Sequence, residues 1–264
     1  SKSTAMATLQ FRRKIMLTHN EQIRYSRQTI VDQIGEDGQL ALRDAKILIV
    51  GMGGLGNPAS AYLAASGVGH LFLADGDTVD LSNLQRQVLF SPQDIGKNKA
   101  EVVKDRLLAN NPDIEVEVID EMLDSESLDY FVEQVDVVVD CTDNIETRYL
   151  MNRACVESKT PLVIGAATGF DGQQIVIDPR QDTNPCYQCL FPQADKPPVV
   201  NCKTHGIVGP VLPIIAGMQA LQSIKLICNI AAQQNKLQMY DGLHNQWRSF
   251  NVKQQGNCPV CQSL

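Results

Sequence analysis

The chain has 264 residues, of which 44% are hydrophobic, and it carries a formal net charge of −7. This length and apolar content are enough for a substantial core, either as one large α/β domain or as two small domains. The negative charge argues against a general nucleic-acid-binding protein, because phosphate contacts need clustered Lys and Arg side chains.

The N-terminal segment gives no sign of a secretory signal, since residues 1–16 lack an apolar run and carry three basic residues in their middle, Arg12, Arg13 and Lys14. The chain does not begin with Met, so we interpret residues 1–5 as a cloning remnant and expect the native start at Met6 or Met16. We therefore treat residues 1–19 as an N-terminal arm. Residues 20–264 are predicted to form a single domain, because no linker rich in Gly, Ser or charge divides them.

From residue 46 onward, apolar β-branched runs alternate with helical patterns. The predicted strands are 46–50, 70–75, 114–119, 135–140 and 161–166, and the predicted helices between them are 55–66, 97–110, 124–134 and 145–158. This alternation is typical of a Rossmann-like, doubly wound α/β fold with a mostly parallel sheet. The pattern then changes to a hairpin-like strand at 169–179, a Pro-rich loop at 191–201 and a long helix at about 208–229. Two further strands, at 237–241 and 246–252, extend the sheet in antiparallel fashion.

The most apolar stretch, residues 211–230, approaches the length of a membrane span. Polar residues at helical spacing interrupt it, and Pro213 lies near its start; these polar residues are Gln219, Gln222, Ser223 and Lys225. We therefore favour a buried core helix over a membrane helix. A cytoplasmic protein without a membrane partner is the expectation that follows.

The sequence GMGGLG at residues 51–56 follows a predicted strand, precedes a predicted helix and has the spacing of a dinucleotide-binding loop. Its glycines let the backbone approach phosphate oxygens, and the helix N-terminus offers free N–H groups. The motif alone fits NAD, FAD and some ATP-binding proteins. Asp75 ends the next strand, 24 residues after Gly51 (75 − 51), where an acidic residue holds a ribose hydroxyl pair. The pair of features indicates an adenosine-containing ligand.

Polar and charged residues that follow Asp75 favour an ATP-binding site over an NAD-binding site. Asn83, Arg86 and Gln87 follow it closely, and Lys99 lies in the first turn of the next helix. Cations neutralise the charge that develops on a triphosphate, whereas hydride transfer has little use for them. A solvated surface with incidental charges is the competing interpretation of these residues. An NAD-linked oxidoreductase and a non-catalytic binding relative stay open as alternative functions.

Two Cys-x-x-Cys pairs, Cys186 with Cys189 and Cys258 with Cys261, predict a closed tetrahedral Zn²⁺ site of structural type. The pairs lie 69 positions apart (258 − 189), so the metal would tie the C-terminus to the middle of the domain. A redox role is the alternative. Three other cysteines occur in strand or helix patterns and are interpreted as small core residues, namely Cys141, Cys155 and Cys228.

Cys202 differs from the other cysteines because it follows the Pro-rich loop, beside Lys203 and three residues before His205. Nearby positive charge lowers the pKa of a thiol and makes it reactive. An inert loop cysteine is the alternative. His205 is interpreted as a local hydrogen-bond partner.

Six motifs taken together resemble the ThiF/MoeB/HesA family, the bacterial relatives of ubiquitin-activating enzymes. They are RYSRQ (24–28), GMGGLG (51–56), LSNLQRQ (81–87), DCTDN (140–144), CYQC (186–189) and CPVC (258–261). The resemblance runs through residues 20–264 in unbroken order. Within the family, three stretches are closer to the thiamine-pathway branch than to the molybdopterin-pathway branch: CLFP (189–192), NCKTHGIVGPV (201–211) and DGLHNQWRSF (241–250).

The resemblance implies an enzyme that uses ATP and Mg²⁺ to adenylate the C-terminal Gly-Gly carboxylate of a ubiquitin-like sulfur carrier protein, with release of pyrophosphate. The expected carrier is that of thiamine thiazole synthesis, and the molybdopterin-synthase carrier is the alternative. A homodimer and a sulfur-donating enzyme are the other expected partners. A carboxylate nucleophile is already ionised at neutral pH, since the α-carboxyl group of a protein has a pKa of roughly 3.5, so no general base is needed.

The resemblance also implies roles for individual residues. The phosphates would lie against Gly51, Gly53 and Gly54, and the ribose against Asp75, while the triphosphate would be bound by Asn83, Arg86, Gln87 and Lys99. Mg²⁺ would be bound by Asp143, which follows a predicted strand at the edge where such sheets bind ligands. A helix N-cap before Ile145 is the alternative role for Asp143, and Asp140 is interpreted as structural. Arg27 would reach the phosphates of the neighbouring protomer, and Cys202 would form a covalent link to the adenylated carrier.

Overall fold

The computed structural model describes residues 16–193, 206–232 and 234–262. Its strands are β1 (Lys46–Val50), β2 (His70–Ala74), β3 (Glu115–Ile119), β4 (Val137–Asp140), β5 (Leu162–Thr168), β6 (Asp171–Ile177), β7 (Lys236–Asp241) and β8 (Gln246–Asn251). They form one eight-stranded sheet in the order β3-β2-β1-β4-β5-β6-β7-β8. Neighbours among β1 to β5 are parallel, and β6, β7 and β8 continue the sheet antiparallel. The predicted Rossmann-like sheet with an antiparallel extension is confirmed.

The helices are α1 (His19–Arg24), α2 (Ser26–Thr29), α3 (Gly35–Asp44), α4 (Gly56–Ala65), α5 (Lys99–Asn110), α6 (Ser125–Val132), α7 (Ile145–Ser158), α8 (Tyr187–Leu190) and α9 (Val211–Ile227). The five predicted helices correspond to α4, α5, α6, α7 and α9. Helices α1, α2, α3 and α8 were not predicted. Helix α1 begins with a capping box, in which the Glu21 N–H donates to Thr18 Oγ1 and the Thr18 N–H donates to Glu21 Oε2.

Both faces of the central parallel strands β1, β2 and β4 are buried, which explains why these strands appear in the sequence as nearly continuous apolar runs, whereas the edge strand β3 alternates between buried and exposed residues. Along β1 the side chains alternate between the two faces. Ile47 and Ile49 pack with one cluster that includes residues of α4, α5 and α9, whereas Leu48 and Val50 pack with a second cluster that includes residues of α6 and α7. Helices therefore cover the sheet on both sides, as a doubly wound fold requires.

Helix α9 contains the apolar stretch that approaches the length of a membrane span. It packs against β4, β5, β6 and α4, and it buries Gln219, whose Nε2 donates to the carbonyl oxygens of Asp140 at 2.7 Å and Val163 at 3.3 Å. Gln219, one of the polar residues of this stretch, therefore forms hydrogen bonds to the sheet within the core. Among the residues that the structure describes, no helix is long and apolar enough to cross a bilayer.

Candidate functional site

Three loops leave the sheet side by side at the carboxyl ends of β1, β2 and β4. The N–H of Gly51 donates to the carbonyl of Ala74 at 2.8 Å, and the N–H of Cys141 donates to the carbonyl of Val50 at 2.9 Å. Strand β1 lies between β2 and β4, so the connections from β1 and β4 lead to opposite sides of the sheet. Open α/β sheets bind ligands in the crevice at such a switch point.

The glycine loop is shaped for close approach of backbone to a ligand. Gly51 has φ +91°, a left-handed conformation that other residues rarely adopt. A Cβ on Gly56 would overlap with the carbonyl oxygen of Gly51, so only glycine lets the first turn of α4 pack against the loop. The free N–H groups at the N-terminus of α4 and the positive end of its dipole favour an anion at this position.

Asp75 emerges from β2 beside this loop and is 8% exposed. Its carboxylate accepts the Met52 N–H at 2.7 Å and the Asp77 N–H at 2.8 Å, so it also holds the glycine loop in place. Burial raises the pKa of the carboxyl group, and the two backbone hydrogen bonds oppose that shift. Each carboxylate oxygen retains a second lone pair with which it can accept a ligand hydroxyl.

Lys99 is the first residue of α5 and is 7% exposed. Its Nζ lies 3.0 Å from Oδ2 of Asp77, a partner that the sequence did not reveal. The ammonium group also favours the ionised form of the Asp75 carboxyl. Lys99 is therefore a buried cation close enough to act on the Asp75 carboxylate, which itself contacts the glycine loop.

Gln87 supplies an independent indication of a ligand. Its side chain is buried, and its Oε1 has no hydrogen-bond partner among the described residues. Its Nε2 lies 3.5 Å from the position that a Cβ on Gly53 would occupy. A buried amide oxygen without a partner is costly in a folded protein, and a water or ligand group that donates a hydrogen bond to it would remove that cost.

Asn83 and Arg86 lie on the segment that joins this region to Gln87. Asn83 is buried, and its Oδ1 accepts the Asp80 N–H at 3.1 Å. Arg86 is half-buried, and its Nη1 donates to the carbonyl of Ser82 at 2.8 Å. No carboxylate of the described residues forms an ion pair with Arg86, so its charge is available to an anionic ligand.

Asp143 lies in the exposed loop between β4 and α7. The N-cap of α7 is Asn144, whose Oδ1 accepts the N–H groups of Glu146 at 2.9 Å and Thr147 at 3.3 Å. The alternative that Asp143 caps this helix is therefore wrong. Within the described ranges, the Asp143 carboxylate takes part in no hydrogen bond or ion pair.

Asp140 has a different role from Asp143. It is fully buried, and its Oδ2 accepts a hydrogen bond from Nε of Arg148 at 2.6 Å. Its Oδ1 accepts the N–H and the hydroxyl of Thr142 at 2.9 and 2.7 Å. Asp140 is structural, as interpreted from the sequence.

Arg27 does not lie with the other predicted site residues of the same protomer. Its neighbour Gln28 donates to the carbonyl of Ser66 at 3.0 Å, and Tyr25 accepts a hydrogen bond from Asn111 at 2.9 Å. These contacts are at the C-terminal ends of α4 and α5, whereas the glycine loop is at the N-terminal end of α4. Helix α4 has 10 residues, which correspond to a length of about 15 Å. Arg27 is exposed at the opposite edge of the sheet.

The four cysteines predicted to bind zinc are brought together. Their Sγ atoms all lie within 4.8 Å of one another, with 3.6 Å between Cys186 and Cys258 and 3.5 Å between Cys189 and Cys261. A tetrahedral Zn²⁺ with bonds of about 2.3 Å places its sulfur ligands about 3.8 Å apart. The side-chain amide of Gln254 donates to the Cys261 sulfur at 3.6 Å and the backbone N–H of Gln255 to the Cys189 sulfur at 3.4 Å. These donors support the ligands as outer-shell partners do in zinc sites.

The remaining cysteines divide into two groups. Cys141 and Cys155 are buried and Cys228 is half-buried, in line with the prediction of small core residues. Burial is the main reason that the pKa of the Cys141 thiol is raised well above its usual value, so this thiol is unreactive. Cys202, Lys203 and His205 lie outside the described residues.

Comparison with known proteins agrees with this geometry. A model of the ThiF family matches residues 25–260. Sulfur carrier protein ThiS adenylyltransferase of Escherichia coli K12 is 47% identical, and the match covers 90% of this chain and 94% of that protein. Molybdopterin-synthase adenylyltransferase of the same organism is 40% identical, covering 93% of this chain and 98% of that protein. The crystal structure of E. coli MccB with ATP has a TM-score of 0.77 and 30% identity, covering 90% of this chain and 73% of that protein.

Proposed function

The chain belongs to the ThiF family, and from that premise we propose that it is a sulfur carrier protein adenylyltransferase. Its substrates are ATP and the C-terminal Gly-Gly carboxylate of a ubiquitin-like carrier, and its products are the acyl adenylate and pyrophosphate. The identity is higher to the relative named for the carrier ThiS than to the relative named for molybdopterin synthase. This difference supports the carrier of thiamine thiazole synthesis as the substrate, and the molybdopterin-synthase carrier is the alternative.

One observation carries the proposal: at the switch point, a buried carboxylate contacts the glycine loop, a buried ammonium group acts on that carboxylate, and beside the loop lies a buried amide whose oxygen has no partner among the described residues. Asp75 binds the ribose, and the backbone of Gly51, Gly53 and Gly54 approaches the phosphates. Gln87 and Lys99 bind the triphosphate together with Asn83 and Arg86. Gln87 would donate to the triphosphate through its Nε2, since a phosphate oxygen without a proton cannot donate to the Oε1.

Two metal ions fit the donor sets that the protein offers. Asp143 has an exposed carboxylate without a partner in the described ranges, at the edge where the phosphates would lie, and Mg²⁺ is commonly held by one or two carboxylates, phosphate oxygens and water. Bound there, Mg²⁺ would neutralise phosphate charge. The four clustered thiols fit Zn²⁺ because a closed set of four sulfur ligands is typical of structural zinc.

The reaction needs positioning and charge stabilisation more than proton transfer. A carboxylate oxygen of the carrier attacks the α-phosphorus of ATP and forms a C–O–P linkage. The bond between the α-phosphorus and the bridging oxygen breaks, and pyrophosphate leaves with the electron pair. Lys99 and Arg86 stabilise the charge that develops on the leaving group.

The placement of Arg27 supports a shared site in a homodimer. It lies at the edge of the sheet opposite to its own glycine loop, so Arg27 reaches phosphates only in the site of a second protomer. Two-fold symmetric dimers are the commonest closed assembly.

After adenylation, Cys202 displaces AMP and forms a covalent link to the carrier, and a sulfur-donating enzyme acts on the activated carrier.

The test is carrier-dependent exchange of labelled pyrophosphate into ATP, measured with a panel of purified carriers from both pathways. We expect exchange with the thiamine-pathway carrier. Lys99→Met should lower the exchange rate by about 10²–10³, because it removes one electrostatic contact to the triphosphate. Lys97→Met is the matched control, since Lys97 is 59% exposed and its Nζ pairs with Asp94 instead. No exchange with any carrier, or equal effects of the two substitutions, would contradict the proposal.

A further inference from the structure

A continuous series of buried contacts joins the four-cysteine cluster to the loop that carries Asp143. It begins at Tyr187, which lies between Cys186 and Cys189 and is 3% exposed. The Tyr187 N–H donates to Oδ1 of Asn152 at 2.8 Å, and its ring packs with that of Phe191 at a centroid distance of 5.0 Å. Both the backbone and the ring of Tyr187 are therefore held by neighbours of the cysteine cluster.

The next contact is between the Tyr187 ring and Arg148. The Cζ atom of Arg148 lies 5.8 Å from the ring centroid, within the range of a cation–π contact, and Arg148 is 6% exposed. A contact between a buried cation and an aromatic face is stronger than one in water, because the cation has lost its hydration. Tyr187 thus restrains the plane of the Arg148 guanidinium group.

The guanidinium group in turn restrains Thr142, the residue before Asp143. Arg148 Nη2 donates to the carbonyl of Thr142 at 2.8 Å and to that of Gly165 at 3.2 Å, while Nε donates to Asp140. The Asp140 carboxylate accepts both the N–H and the hydroxyl of Thr142. Every polar group of Thr142 is therefore bonded to the Asp140–Arg148 pair, and Asp143 is the next residue in the sequence.

We propose that Tyr187 and Arg148 are positioning residues for Asp143, so that the cysteine knuckle sets the geometry of the loop that binds Mg²⁺ as well as stabilising the fold. The role of Asp143 in this inference rests on the proposed function. A carboxylate that provides one ligand to Mg²⁺ must be held in place, because Mg²⁺ demands a near-ideal octahedral geometry. Asp143 has no partner of its own among the described residues, so its position depends on its two neighbours, Thr142 and the helix cap Asn144, and only Thr142 is held by the Asp140–Arg148 pair.

The same helix offers a matched control in Arg153. It pairs with Asp129 at 2.8 Å and with Glu157 at 2.6 Å, and its side chain is 31% exposed. It makes no contact with the Asp140–Thr142 group among the described residues. Arg148→Lys and Arg153→Lys therefore make the same chemical change on α7, and only the first removes the bonds to Thr142 and Gly165.

The experiment compares Tyr187→Leu, Tyr187→Phe, Arg148→Lys and Arg153→Lys in the full-length protein. Three quantities are measured: zinc content, amide hydrogen exchange over residues 140–144, and the Mg²⁺ concentration that gives half-maximal ATP–pyrophosphate exchange. We expect Tyr187→Leu and Arg148→Lys to retain zinc and to show faster amide hydrogen exchange over residues 140–144. Both variants should also need about 10–100-fold more Mg²⁺ for half-maximal ATP–pyrophosphate exchange, as for outer-shell residues of other metal sites. Arg153→Lys keeps the loop and should stay close to wild type. Tyr187→Phe keeps the ring but loses the hydroxyl that interacts with Arg148, so its effect should lie between those of wild type and Tyr187→Leu.

Two results would overturn the inference. One is wild-type exchange over residues 140–144 and an unchanged Mg²⁺ requirement in zinc-replete Tyr187→Leu and Arg148→Lys proteins. The other is faster amide exchange spread evenly over the protein, which indicates a structural role alone. If the wild-type protein has no ATP–pyrophosphate exchange, the proposed function fails by itself, and the hydrogen exchange of residues 140–144 still tests whether Tyr187 and Arg148 position the loop.

Discussion

Replacement of Cys258 by Ser removes one of the four proposed zinc ligands, and its effect on stability can be worked out from the spacing of the cluster. Cys186 and Cys258 are 72 positions apart, as are Cys189 and Cys261, so a bound ion closes a loop of that length. In the chain-entropy model, a cross-link that closes a loop of this size lowers the entropy of the unfolded polypeptide and raises the free energy of unfolding by about 4 kcal/mol at 25 °C. For a domain of this size, about 4 kcal/mol corresponds to a fall in Tm of roughly 8–16 °C.

The assay is elemental analysis of protein purified without added metal, combined with thermal unfolding. We expect about one Zn²⁺ per wild-type protomer, and lower zinc content and lower Tm in Cys258→Ser, because zinc binding at structural sites is coupled to folding. Cys228→Ser is the control, since Cys228 lies outside the cluster and its thiol donates to the carbonyl of Gly38 at 3.5 Å. A full zinc complement in Cys258→Ser, or equal Tm changes in both variants, would refute the assignment of the cluster.

Three further outcomes are expected. Mixing Arg27→Ala with Asp143→Ala protein should restore part of the activity, because a hybrid dimer holds one intact composite site; no recovery despite subunit exchange contradicts the shared site. Cys202→Ala should keep carrier-dependent ATP–pyrophosphate exchange and lose any thiol-linked carrier conjugate, whereas loss of exchange in a folded, zinc-replete protein would place Cys202 in the first step. Hydrogen bonds from Ser91, together with nearby cations, hold the pKa of Asp94 in the folded protein well below its usual value. The ionised carboxylate therefore stabilises the folded state at every pH above the pKa of the unfolded chain, which is about 3.9. That stabilisation is lost as the pH falls below this value. Urea unfolding should therefore show a gap between wild type and Asp94→Asn that is constant above about pH 5 and shrinks below about pH 4; a constant gap at lower pH contradicts this.

The parallel sheet could be predicted because its central strands are buried on both faces and appear as apolar runs between helical patterns, while the edge strand β3 alternates valine with glutamate. The helices before β1 were missed for a different reason. The capping box of α1 is present in the sequence as Thr18 and Glu21, but the predicted N-terminal arm ends at residue 19, between these two residues. Helix α8 has four residues within the cysteine knuckle, too few for a helical period to be recognised.

The local parts of the candidate site were also predictable, since glycine spacing and the position of Asp75 depend on a single strand–loop–helix unit. The cap of α7 was not, because Asp143 and Asn144 are adjacent and both residue types cap helices well. Only the structure shows that Asn144 takes this role and leaves the carboxylate of Asp143 unpartnered among the described residues. The partners of Lys99 and Asp140 were missed as well, because ion pairs between elements leave no periodic signal in the sequence.

The central claim is that the C-terminal carboxylate of a ubiquitin-like carrier is the nucleophile, and a matched pair of carriers tests it most directly. One carrier ends in a free Gly-Gly carboxylate, and the other is identical except for a C-terminal amide, which cannot attack the α-phosphorus. ATP–pyrophosphate exchange is measured with each carrier at saturating ATP and Mg²⁺. We predict exchange with the free carboxylate and none with the amide. Equal exchange with both carriers, or with neither, would contradict the assignment of this protein as a carrier adenylyltransferase.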